Sequence, residues 1–69
     1  MTLSDKYTAG TKVETITKGG KTSTIYRTTK VGTKRVFFYP VTDAGVRITT
    51  TLFARQYDAA NLAKRWLAL

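Results

Sequence analysis

Between Thr11 and Leu52 the chain interleaves Val, Ile, Tyr and Phe with threonine, of which the whole sequence holds fourteen. Gly19-Gly20, Gly32 and Asp43-Ala44-Gly45 interrupt that texture. β-Branched and aromatic residues suit a pleated, half-buried surface, and turn residues at about ten-residue spacing read as an antiparallel meander. The pattern predicts strands over Lys12–Thr17, Thr22–Lys30, Lys34–Val41 and Val46–Leu52. From Tyr57 the apolar period lengthens, and Ala59, Leu62, Ala63, Trp66 and Leu69 follow helical spacing. Asp58 suits the N-cap, Tyr57 and Leu62 the positions of a hydrophobic staple, and Lys64 and Arg65 the negative end of the helix dipole. Residues 1–10 show no sustained period and read as a loose arm. The expected fold is α+β: a single ββββα domain over residues 11–69. It would be a four-stranded antiparallel β-meander, or three long strands plus a short edge, with one C-terminal helix packed on one face. Leu62 and Trp66 lead the expected core.

The segment Thr42-Asp43-Ala44-Gly45-Val46 fits a three-residue hairpin loop, a type I turn closed by Gly45 in the left-handed region. That register sets Thr42 opposite Val46, Pro40 opposite Ile48, Phe38 opposite Thr50 and Val36 opposite Leu52. One face then carries Val36, Phe38, Pro40, Val46, Ile48 and Leu52 and meets the helix. The other carries Arg35, Phe37, Tyr39, Arg47, Thr49 and Thr51, with no helix left to cover it. The second strand allows two facings, because a one-residue slip inverts every side chain. A Val31-Gly32-Thr33 loop puts Tyr26 and Thr28 in the core and Ile25 and Arg27 beside Phe37 and Tyr39; a Gly32-Thr33 turn exchanges them. The first is preferred, since burying Tyr26 costs less than burying Arg27 unpaired. Val13 and Ile16 have opposite parity, which points to a bulge or an edge in the first strand.

Charge changes the picture more than composition does. Twelve Lys and Arg face four acids in 69 residues, for a formal net charge of +8. Hydrophobic residues make up 42%, too many for a disordered basic tail. Such a body attracts polyanions over about a Debye length of 8–10 Å. Nucleic acid is the expected partner, duplex DNA first; the alternative is an acidic patch on a larger protein, docked by an inhibitor or adaptor of the kind mobile elements encode. A homodimer through an edge strand or the open face is a third option. No segment is long or apolar enough to span a membrane, and the first residues lack a basic stretch followed by an apolar run, so a cytoplasmic location is expected.

Chemistry of other kinds finds few residues to work with. There is no cysteine and no histidine, and the four acids are scattered singly, so neither a disulfide framework nor a metal or cofactor site is expected. Lys18-Gly19-Gly20-Lys21-Thr22-Ser23 resembles the end of a phosphate-binding loop, but Thr15 stands where the first glycine belongs and a strand follows in place of a helix. It reads as a Gly-Gly hairpin turn flanked by lysines. Ser4 and Ser23 have no histidine to activate them, and no enzyme activity is expected.

The candidate interface is therefore the aromatic and cationic sheet face with its neighbouring turns. Lys18, Lys21, Lys34 and Lys30 would contact phosphates, while Arg35, Phe37, Tyr39, Arg47, Thr49 and, in the preferred register, Arg27 would supply groove contact or stacking. Aromatics and arginine are also what protein interfaces enrich.

Residues 34–69 resemble the arm-type N-terminal DNA-binding domain of phage and transposon tyrosine integrases. The matching positions are Arg35 to Tyr39, the Asp43-Ala44-Gly45 turn, Arg47 to Thr51, Phe53, and the run Ala63-Lys64-Arg65-Trp66-Leu67. Members place the sheet in the major groove, so the resemblance assigns Arg35, Phe37, Tyr39, Arg47 and Thr49 to the DNA face. The chain departs from the family by a strand added in front and by the lack of a following catalytic domain, which implies an accessory or regulatory protein.

Overall fold

The structure, a computed structural model, describes residues 6–69. Three strands, β1 (Thr11–Lys18), β2 (Lys21–Thr29) and β3 (Val36–Thr42), form one antiparallel sheet in the order β1-β2-β3, followed by helix α1 (Gln56–Leu67). The class is α+β as expected, with each strand within two residues of its predicted bounds.

The fourth predicted strand is absent among the described residues, and its hairpin explains why. The turn itself forms as expected: Thr42 N donates to Val46 O at 2.7 Å, Gly45 N donates to Thr42 O at 3.0 Å, and Gly45 has φ +81°. Thr42 Oγ1 accepts from Ala44 N and Val46 N and locks it further. Pairing persists through Ile48 N to Pro40 O at 3.2 Å and then stops. The next bridge joins Phe38 to Phe53, where Thr50 was expected opposite Phe38. Thr49, Thr50 and Thr51 bulge out, because local bonds compete with the ladder. Thr49 Oγ1 accepts from Thr51 N, and Arg47 Nη2 donates to the carbonyls of Thr50 and Thr51.

The second strand takes the facing that was not preferred. Ile25 pairs with Pro40, Tyr26 with Tyr39 and Arg27 with Phe38, so Ile25 faces the helix and Tyr26 turns away from it. The connecting loop spans residues 31–34, closed by Lys30 N donating to Arg35 O at 3.1 Å. Arg27 escapes the burial that argued against this register: it shares the helix side of the sheet but stays exposed. The mixed parity of the first strand is real: the β1–β2 register shifts between Lys12 and Glu14, a bulge at Val13 in an edge strand.

Small residues draw α1 close to the sheet. Ile25, fully buried, packs against Ala59 and Ala63, with Ile16, Phe38 and Phe53 around them. Leu62 and Trp66 are only half-buried, so alanines, not the largest apolar side chains, carry the contact. The helix also begins earlier than predicted. Arg55 is the N-cap without a side-chain cap bond, Asp58 sits in the first turn paired to Arg55 Nε at 3.3 Å, and Tyr57 is 70% exposed, which excludes the staple.

Candidate nucleic-acid interface

The face expected to lie open is closed over its centre by the chain itself. Residues 6–10 do not hang loose; they extend the pairing of β1 along β2. Tyr7 bridges Lys30, Thr8 N donates to Thr29 O at 2.9 Å, and Val31 N donates to Lys6 O at 2.7 Å. Thr28 Oγ1, buried, donates to Thr8 O at 2.8 Å. The rest of the predicted arm, residues 1–5, lies outside the described residues.

Tyr39 consequently has 4% of its surface exposed. Its ring stacks on Tyr26 with centroids 5.6 Å apart, the Arg47 guanidinium lies 5.1 Å from its centroid, and the Gly10 backbone abuts its hydroxyl. Burial raises the phenol above its ordinary value of 10.0, with Arg47 opposing and Tyr26 adding to the shift. Tyr39 is therefore removed from the set of candidate contacts: a ring this enclosed reaches no base or phosphate. Arg47 is committed too, holding the 49–51 bulge over that ring, and Thr49 spends its hydroxyl inside the same bulge. Arg27 is exposed but lies on the helix side of the sheet, away from Phe37 and Tyr39.

Phe37 is half-buried, in edge-to-face contact with Tyr7 at 6.0 Å. It borders a groove of ≈ 300 Å³ with Arg35, Val36 and Ala54. Beside it the backbone gathers several cationic residues at one end of the sheet. Three neighbouring segments bring Lys6, Lys30 and Arg35 together, because Lys30 is flanked by the Lys6–Tyr7 backbone on one side and bonded to Arg35 on the other. Adjacent strands lie about 4.8 Å apart, so these residues span about 10 Å, within one Debye length. Lys34 joins them from the loop, and Lys6, Lys34 and Arg35 are exposed. Thr33 fixes the loop: its Oγ1 donates to Lys30 O at 2.9 Å and accepts from Arg35 N at 3.2 Å. Lys6 was not singled out from the sequence; its only signal is a position beside Tyr7 and Thr8, residues of strand-forming type.

Lys18 and Lys21 occupy the other end. β2 separates Lys21 from Lys30 by about 30 Å at 3.3 Å per residue, in a molecule 39 Å long. Lys21 is partly used within the fold: Nζ donates to Trp66 O at 3.3 Å and sits 4.3 Å from the Trp66 ring centroid, tying the end of α1 to the β1–β2 turn. The candidate residues thus divide into two separated ends and an enclosed centre.

Among the described residues, no three His, Cys, Asp or Glu gather as a metal site, and no helix is long and apolar enough to cross a membrane. Comparison with protein-family models, curated proteins and solved structures gives no match.

Proposed function

We propose that the protein binds nucleic acid, duplex DNA first, through the phosphate backbone at the end formed by Lys6, Lys30, Lys34 and Arg35. What carries this reading is the assembly of four cations on a backbone locked by hydrogen bonds. Like charges side by side on a sheet oppose folding, and the one ion pair among the described residues, Arg55 with Asp58, lies elsewhere. A polyanion relieves that repulsion, and each neutralised phosphate releases counterions. Phe37, next to Arg35, adds an apolar edge to the same end. The resemblance to integrase arm-type domains points to the same ligand. Here, though, the strand face that would enter the groove is enclosed at Tyr39, so the proposed contact moves to the end of the sheet.

Two charge-reversal variants test the assignment at equal net charge. Lys34→Glu/Arg35→Glu should abolish retention of a DNA duplex in fluorescence anisotropy, while Lys64→Glu/Arg65→Glu, in the exposed last turn of α1, should weaken it far less. Equal loss in both would mean that overall charge, not this end, governs binding.

A further inference from the structure

We infer that β1 is a self-complementary edge through which two copies of the chain pair into one six-stranded antiparallel sheet. β1 is the outer strand, paired on one side only among the described residues. Gly19 and Gly20 have φ +58° and +81°, a two-residue turn of type I′, so the flanking Lys18 and Lys21 exchange main-chain bonds. Alternation then directs the backbone groups of Lys18, Ile16 and Glu14 toward β2, and those of Thr15 and Thr17 outward as unpaired donors and acceptors. The Val13 bulge ends this straight run, leaving Glu14 to Lys18 as the template.

Outward groups must face outward groups, which leaves three registers for antiparallel self-pairing. Setting Thr15 opposite its own copy places Glu14 against Ile16. Setting Thr17 opposite its own copy places Ile16 against Lys18. Setting Thr15 opposite Thr17 places Ile16 against Ile16 on the two-fold axis and Glu14 against Lys18 twice. Only the last matches opposite charges and apolar with apolar, the pairs that stabilise neighbouring strands. The contact is isologous and closes as a dimer. Gln56 Nε2 donates to Glu14 Oε1 at 2.9 Å, which orients the carboxylate and leaves its second oxygen for the partner lysine.

The chain contains no cysteine, so introduced thiols report the register without background. Thr15 and Thr17 are exposed, and in this register their Cα atoms lie about 5.5 Å apart across the interface, within disulfide reach. Under mild oxidation, an equal mixture of Thr15→Cys and Thr17→Cys should give a species of twice 7.7 kDa, and neither variant alone should do so. Efficient cross-linking of either variant with itself would overturn the register. The absence of any cross-link, with a monomer mass by light scattering over a concentration series, would overturn the dimer. Lys18→Glu should raise the dissociation constant by about tenfold, and Glu14→Lys/Lys18→Glu should restore it; failure of that rescue also contradicts the pairing.

Discussion

The backbone of Gly10 lies against the hydroxyl of Tyr39, with no room between them for a side chain. A Cβ built on Gly10 would stand 3.0 Å from Tyr39 Cζ and 3.3 Å from Tyr26 Cβ, and nearer still to the hydroxyl. This approach lets the chain before β1 run beside β2 and enclose the Tyr39 ring at the edge of the aromatic face. Gly10→Ala should destabilise the fold by about 1–3 kcal/mol, as overpacking does. In a Tyr39→Phe background the penalty should shrink. A double-mutant cycle by urea denaturation measures both, and purely additive effects would place the two residues out of contact.

Tyr39 also makes stability depend on pH at the alkaline end. Its folded pKa lies above 10.0, so the unfolded state releases the proton first. The protonated phenol's contribution is fully present below pH 10.0 and is lost as pH rises from there through the folded-state value. Urea denaturation on either side of that pH should show a decline that is smaller in Tyr39→Phe.

Arg47 should prove structural. Its guanidinium covers Tyr39 and holds the carbonyls of Thr50 and Thr51 at 3.1 and 3.4 Å. Arg47→Ala should lower stability by about 1–2 kcal/mol in thermal denaturation while leaving the salt dependence of DNA binding unchanged. A flatter dependence would return Arg47 to the interface.

Ile25→Ala tests the core. Ile25 is wholly buried between the sheet and the Ala59–Ala63 face of α1, so truncation leaves a cavity and should cost about 2–5 kcal/mol. Against the marginal stability of so small a domain, that loss should abolish the cooperative thermal transition.

Strand texture, turn glycines and helical spacing were enough to read the three strands, the Gly45 turn and the helix. What the residues hid was mostly decided by non-local packing. The facing of the second strand depended on whether Arg27 would be covered, and the tertiary packing leaves it exposed. The last strand failed because Thr49 to Thr51 and Arg47 satisfy one another locally, a competition invisible to periodicity. The covering of Tyr39 rested on Gly10, which contributes by lacking a side chain, and on the irregular segment containing Lys6 and Tyr7. Charge was legible as a total but not as a distribution: the lysines flanking Gly19-Gly20 and those near Gly32 lie at opposite ends.

If Lys6, Lys30, Lys34 and Arg35 grip phosphates as proposed, the salt dependence of binding to a DNA duplex counts those contacts. With four phosphates neutralised, log K should fall against log salt with a slope of about −3 to −4, and Lys34→Ala/Arg35→Ala should reduce its magnitude by about two. Measurable affinity with a slope near zero, or a slope unaltered in that variant, would contradict the account.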